Sequence, residues 1–209
     1  MQKITQTPPT MADGKRRLID AALRLSAKGK SLSSLGLREL GREAGLNHNT
    51  FYRHFQNTDE LGSIAAHEIA RDVMSAMKRI RQSAEKHSDA TVAAAQYFYD
   101  FVLQNPQLFI VCSQELLSYS NPMRKTVKAV IHEISVESVD QIISLGLSAN
   151  ISNENLLKAT SAITYYLFYR SLDYIESPLD RETILSETIF FIRTQFIGTA
   201  TLEAIEKAK

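Results

Sequence analysis

The stretch Leu37–Phe55, LRELGREAGLNHNTFYRHF, holds two short helical patterns hinged at Gly45. In the first, Leu37, Leu40 and Ala44 form an apolar stripe at helical spacing, which the glycine ends. In the second, Asn47 stands where a side chain caps a helix, and Phe51 and Phe55 share one face. His48, Asn49, Thr50, Tyr52, Arg53 and His54 crowd the same few turns with hydrogen-bonding groups. An active site, a metal site and a nucleic-acid reading surface all compete for such a row.

The flanking sequence narrows the choice. Leu18, Ala22 and Leu25 repeat at i, i+4 and i+7 in a preceding helix of about 15 residues, which Gly29 can close. Two short helices joined by a glycine-containing turn and braced by a longer one make a helix-turn-helix pattern. Phe51 and Phe55 then point back to Leu18, Leu25 and Leu40, leaving His48, Asn49, Tyr52 and Arg53 outward. An exposed helix of this kind fits the DNA major groove, about 12 Å wide, and offers polar groups to base edges. A metal site fails on geometry, because His48 and His54, six residues apart on one helix, point about 120° away from overlap. His67, His87 and His132 are scattered without Cys or paired-carboxylate company. No nucleophile elbow, phosphate loop or dinucleotide fingerprint occurs, so neither an enzyme, a metal nor a cofactor is expected. His54 beside Phe55 also reads as a packed histidine, which is compatible with a phosphate contact. Tyr52 is a poor core residue, because its neighbours on that face are polar.

The 209 residues suffice for one domain plus a small one, or for a single larger helical domain. Hydrophobic residues make up 44% and charged residues 22%, the mix of a soluble chain with a proper core. No apolar run approaches a membrane span, and the N-terminus lacks the apolar stretch of a secretory signal. Cys112 is the single cysteine, so no intrachain disulfide is possible and a cytoplasmic location is expected. Net charge is +1, but residues 1–60 carry ten basic and six acidic side chains, a balance of +4. A basic head on a mildly acidic body suits a polyanion at one end. Solvated surface lysines are the plainer account of the same imbalance.

Strand signals are scarce and helical ones run throughout, so the fold is expected to be all-α. Asn57 and Glu60 make a capping-box pattern opening a long fourth helix through about Gln82. Asn105-Pro106, Asn121-Pro122 and Ser177-Pro178 each read as an N-cap with proline at the first helical position, and Ser152/Asn153 as another cap. Helices are expected near 89–104, 106–118, 122–146, 152–176 and 179–205. The division read from this is a flexible arm (1–12), a helix-turn-helix domain (13–56), a connecting helix (57–82) and an all-helical effector-binding and dimerisation domain (83–209).

The last two helices are apolar on two sides. Leu156, Ile163 and Leu167 lie along one side of the first, with Tyr165, Phe168, Leu172 and Ile175 along another. In the second, Leu185, Ile189, Ile192 and Phe196 form one stripe, with Phe191 and Ile197 beside it. A helix that is apolar on two sides must bury two sides. A four-helix bundle with a second copy does this, and the expected interface is Leu156, Ile163, Leu167, Leu185, Ile189, Ile192 and Phe196. A helix pair central to a monomer would do the same.

The stretch LGLRELGREAGLNHNTFYRHFQNTDELG resembles the DNA-binding segment of the TetR family of bacterial transcriptional repressors. That family carries an apolar-Arg-x-apolar-Ala pair, Ala-Gly-Val, a small polar residue and Tyr-x-His-Phe. Over the N-terminal fifty residues or so the chain is most similar to repressors of unsaturated fatty-acid synthesis genes. The resemblance implies that Arg38 reaches a guanine edge or a phosphate, and that His48 and Asn49 read bases. It implies phosphate contacts for Thr50, Tyr52 and His54, and either role for Arg53, with Asn47 among the DNA-binding positions. Three departures stand out: Asn49 where glycine is common, Gly36 where Ser or Thr caps the second helix, and Thr58 where lysine is common. Phosphate binding near Thr58 would then rest on the helix N-terminus, supplemented by Lys15, Arg16 and Arg17.

The body is rich in aromatic and soft apolar groups, for which core packing is the ordinary explanation. Taken together, Tyr97, Phe101, Phe109, Cys112, Met123, Tyr165, Tyr166, Phe168 and Tyr169 are the expected lining of a small-molecule pocket. Cys112 itself, in LFIVCSQEL, reads as inert filler rather than a redox switch. The function expected is a dimeric repressor of palindromic double-stranded DNA, modulated by a small apolar effector. By the resemblance to fatty-acid regulators, that effector is a long-chain acyl thioester. A helical protein-binding adaptor without DNA function is the alternative.

Overall fold

The computed structural model describes residues 11–83, 87–118, 122–147 and 151–208. The expected cap Asn121 and most of the expected arm lie outside them. The described residues are all-α, with no strand. The helices are α1 (Met11–Ser26), α2 (Leu37–Ala44), α3 (Thr58–Ser83), α4 (His87–Gln104), α5 (Pro106–Leu117), α6 (Pro122–Ser144), α7 (Asn153–Glu176) and α8 (Arg181–Lys207). Short 3₁₀ segments occupy Leu32–Ser34, His48–Arg53 and Pro178–Asp180. The chain divides into two compact units, Met1–Ala65 and Ala66–Lys209, with the boundary inside α3.

The first unit is built on a small apolar core. Leu18, Ala22 and Leu25 of α1, Leu32, Leu40 of α2, Phe51, Phe55 and Leu61 are all buried. Gly45 ends α2 at φ +63°, a left-handed conformation that disfavours any residue with a Cβ. Its carbonyl accepts a hydrogen bond from Arg17 Nη2 at 3.1 Å. Arg24 to Glu43 (2.9 Å) and Lys30 to Glu39 (2.6 Å) tie α1 and the residues after it to α2. At the start of α3, Asn57 Oδ1 accepts from the Glu60 amide at 2.8 Å, while the Glu60 carboxylate accepts from the Gln56 amide. The expected capping box is therefore present, reaching back one residue further than the usual form.

The third helical pattern departs from expectation. His48–Arg53 is a six-residue 3₁₀ segment rather than an α-helix. The amides of Thr50 and His54 bond the carbonyls three residues back, Asn47 and Phe51, at 2.8 and 2.9 Å. His, Asn, Thr, Phe and Tyr are all weak helix formers, and six residues close few i→i+4 bonds. The tighter i→i+3 pattern is the usual outcome for so short a run.

In the second unit α7 lies against α4, α5, α6 and α8, and so holds the middle of the bundle. Tyr99 of α4 pins this arrangement: its hydroxyl meets Thr188 Oγ1 of α8 at 2.6 Å, and its ring stacks on Tyr174 of α7 at 4.1 Å. Burial pushes the Tyr99 phenol up to about 12, so it stays a neutral hydrogen-bonding group. Ser177-Pro178 opens a single 3₁₀ turn, and α8 starts only at Arg181, two residues after the expected position.

Glu203 of α8 closes the far end of the α7–α8 pair. Its buried carboxylate accepts from the Ser152 amide at 2.8 Å and from Asn155 Nδ2 at 3.1 Å, and pairs with Lys207 at 2.9 Å. It thus supplements the Ser152 side chain in satisfying the amides at the start of α7. The Ser152 amide, with Lys207 and Asn155, holds its carboxyl down at about 2. An unfolded glutamate titrates near ~4.3. A lowered folded pKa means that this stabilisation is complete above the unfolded value and drains away as pH falls towards the folded one. Acid titration of thermal stability should therefore show a decline between about pH 5 and pH 2, and Glu203→Gln should flatten its share of it. Identical acid profiles for the two proteins would refute this role.

The expected dimer stripe needs correction. Leu156 is fully buried, and Ile163 and Ile192 are also core residues of the second unit. Leu167, Leu185, Ile189 and Phe196 pack against that core. Leu156, Ile163 and Ile192 therefore face inward, while Leu167, Leu185, Ile189 and Phe196 stay half-buried at the edge of that core. Apolar residues on other sides of the same helices are left exposed, among them Tyr169 and Phe190 at 71% each, Ile197 at 67%, Tyr165 and Leu202.

Candidate nucleic-acid interface and effector cavity

The segment after Gly45 presents its polar groups because its apolar ones are pinned. Phe51 and Phe55 are buried with ring centroids 5.6 Å apart, and Tyr52, edge-on to Phe51, is 65% exposed. Asn47 Oδ1 accepts from the Asn49 amide at 2.9 Å, fixing the start of the segment. Gly41 of α2 sits tightly against it: a Cβ there would lie 3.1 Å from His48 Cα. Asn47, His48, Asn49, Tyr52 and Arg53 are exposed on the resulting ridge, and Arg38 of α2 is exposed as well.

The other expected contact residues are less free. Thr50, His54, Thr58 and Lys15 are half-buried. The His54 imidazole lies against α1, its Nε2 3.0 Å from where a Cβ on Gly14 would stand. It is therefore partly a packed histidine, and any phosphate contact uses what remains of its edge. Arg16 is exposed but paired with Asp20 at 3.1 Å, and Arg17 is spent on Gly45. Arg38 and Arg53 have no carboxylate partner among the described residues, so their guanidinium forks stay available to an anion or a base edge. Arg17 is the contributor whose role the sequence does not reveal. It braces the turn rather than facing outward, and no local pattern marks a bond between residues 28 positions apart.

The second unit contains an apolar cavity of about 450 Å³ walled by α3, α4, α5, α6, α7 and α8. That size falls in the usual range for small-molecule sites. Small residues make the room: Ala66 and Ala70 of α3 and Ala94 and Ala95 of α4 all line it. Of the expected lining, Phe109, Cys112 and Phe168 are in the wall. The other six are elsewhere. Phe101 and Met123 are buried in packing outside the cavity, and Tyr97 stacks on Phe101. Tyr166 stacks on Phe191 at 4.0 Å, while Tyr165 and Tyr169 face solvent. Aromatic content misled here because large rings fill space, whereas a void needs small residues facing one another. Burial pushes the Cys112 thiol up to about 12, so it remains a protonated apolar wall group rather than a nucleophile.

Residues 18–62 match the family described as bacterial regulatory proteins, tetR family. The fold is similar to that of solved structures along nearly the whole chain. A protein classed as a TetR-family transcriptional regulator, from Syntrophomonas wolfei str. Goettingen, superposes with a TM-score of 0.74 at 13% identity, covering 89% of this chain and 96% of its own. The fatty acid degradation regulator FadR of Bacillus halodurans gives 0.72 at 12% identity, over 91% and 97%. The regulator FadR of Bacillus subtilis, in complex with stearoyl-CoA, gives 0.65 at 13% identity, over 87% and 97%. The architecture is thus the one these regulators have: an N-terminal helix-turn-helix unit followed by a helical C-terminal unit.

Proposed function

We propose that this protein is a homodimeric transcriptional repressor that binds a palindromic DNA operator and changes its grip when an apolar effector fills the cavity. The observation that carries the reading is the ridge of His48, Asn49, Tyr52 and Arg53, exposed on a segment clamped by Phe51 and Phe55. Its base-reading residues are His48 and Asn49, with Arg38 and Arg53 on a guanine edge or a phosphate. Thr50, Tyr52 and His54 set the register on the backbone, and Lys15 and Thr58 flank it.

A palindrome requires two heads about one DNA turn apart, ~34–36 Å centre to centre. The exposed apolar residues of α7 and α8, Tyr169, Phe190 and Ile197 among them, are the surface a second copy would cover. Effector control follows from α3. Its residues 66–77 contribute to the cavity wall, and the same helix begins at Thr58 in the first unit. A ligand that prefers one position of that helix shifts the head spacing by its differential affinity for the two states. The stearoyl-CoA held by the Bacillus subtilis FadR supports a long-chain acyl thioester as the effector class.

The test is a gel-shift titration on DNA from the protein's own upstream region across a salt series. Affinity should fall steeply with salt, because each neutralised phosphate releases counterions. Asn49→Ala should change which operator base is preferred, at ~1–3 kcal/mol per lost base contact. Tyr52→Phe should weaken all sites about equally. Salt-indifferent binding without palindromic preference would favour a protein-binding adaptor instead.

A further inference from the structure

Hydroxyls stand at four points of the cavity wall, on Thr91, Ser138, Thr160 and Thr164, and their commitments differ. Thr164 Oγ1 of α7 donates to the Thr160 carbonyl at 2.8 Å, and Thr160 Oγ1 donates to the carbonyls of Leu157 and Ser135 at 3.1 and 3.2 Å. Thr91 of α4 is partnered as well. Ser138 of α6 makes no hydrogen bond among the described residues. A helical serine often returns its proton to the carbonyl one turn back, as Ser135 does to Ile131 at 2.8 Å. The Ser138 proton is left for something else, in a wall that is otherwise mostly apolar.

Charge narrows what that something is. Arg193 is the one charged residue of the wall among the described residues. It is exposed, as is Ile197, and both follow Phe190 along the face of α8 that a second copy would cover. The enclosed wall therefore offers no counter-charge, and an anion buried in it would bear a heavy desolvation cost. A carbonyl brings neither a charge nor a proton to place, so a single donor satisfies it. Position adds a direction. The α6 part of the wall runs from Val127 to Ile142, and at ~1.5 Å per residue Ser138 stands about 16 Å from the first and about 6 Å from the second. Its near end joins the cluster of Ile142 and Leu147, while towards the far end Ala66 and Ala70 pack with Val130. The long side is the one with room for an aliphatic tail.

We propose that Ser138 Oγ donates to the carbonyl oxygen of an uncharged acyl group whose tail runs along α6 towards Val130 and Val127. This rests on the acyl-thioester reading above and deepens it. The thioester carbonyl is the atom recognised, and the hydrolysed acid is rejected by its charge, so the site distinguishes an activated acyl group from the free one.

Calorimetric titration of the full-length protein into dilute S-methyl decanethioate, methyl decyl sulfide and decanoate separates the two effects. The thioester should bind about three- to tenfold more tightly than the sulfide, which differs from it only in the carbonyl, as one neutral hydrogen bond allows. It should bind at least roughly tenfold more tightly than decanoate. Ser138→Ala, a favourable change in a helix, should erase the first margin and leave sulfide affinity unchanged. Thr91→Val should preserve the margin. With an isotope-labelled carbonyl, the infrared stretch of the bound thioester should lie lower in the unaltered protein than in Ser138→Ala, a shift that altered packing alone would not give. Equal binding of thioester and sulfide, a margin that survives Ser138→Ala, or decanoate as the tightest ligand overturns the assignment but leaves the effector cavity standing. If none of the three binds to protein that still shifts its operator DNA, the effector reading fails and this assignment fails with it.

Discussion

Phe51→Ala should abolish operator binding and unfold the first unit while the second keeps its structure. Phe51 is 1% exposed and packs edge-on to Tyr52 and against Phe55, so truncation leaves a void beneath the whole reading ridge. Removing a buried phenylalanine costs ~3–5 kcal/mol. A unit of this size has a total stability on the order of 3–10 kcal/mol, so the loss consumes much or all of it. Hydrogen exchange should show protection vanishing in α1 and α2 but persisting in α4–α8. Tyr52→Ala is the matched control: its ring is exposed, so stability should move by no more than ~0.5 kcal/mol while DNA affinity falls. A Phe51→Ala protein with normal operator affinity and a protected head would show that the ridge does not depend on this clamp.

The second large effect is expected at the exposed face of α7 and α8. Tyr169→Asp combined with Phe190→Asp places a charge on each helix at positions that contribute nothing to the unit's own core. Sedimentation should then find monomers of unchanged helicity, because like charges and lost apolar area oppose docking of a second copy. Operator affinity should drop by ~10²- to 10⁴-fold, the advantage conferred by joining two DNA-reading heads. A half-site probe should be bound as well as before. A double variant that still sediments as a dimer would move the interface to some other surface. A variant that is monomeric yet binds the full palindrome at undiminished strength would remove dimerisation from the function.

Most of the first unit could be read from local pattern. Leu18, Ala22, Leu25 and Leu40 recur at helical spacing, Gly45 marks a left-handed stop, and Asn47 and Asn57 mark starts. These signals act within a few residues of chain, so the order of the amino acids contains them in full. The outward set of His48, Asn49, Tyr52 and Arg53 followed from where Phe51 and Phe55 had to go. The 3₁₀ geometry of that segment was less visible, since both helical forms share the same caps and much the same spacing of anchors.

The second unit divides differently. Its helix ends near Gln104, Glu176 and the Pro106 start were set by local signals, whatever packed around them. Which stripe of α7 and α8 turned inward was not. Both sides of each helix are apolar, so burial energy alone scarcely distinguishes them, and the choice fell to the shapes that α4, α5 and α6 offer. That is why Leu156, Ile163 and Ile192 became core while Tyr169 and Phe190 stayed outside. The cavity is more remote still from local pattern. It exists where small residues of α3 and α4 line the same space as the apolar faces of four other helices. Sequence periodicity specifies the direction of a side chain relative to its own helix; a void and its mouth are relations among six helices, which only the assembled tertiary structure decides.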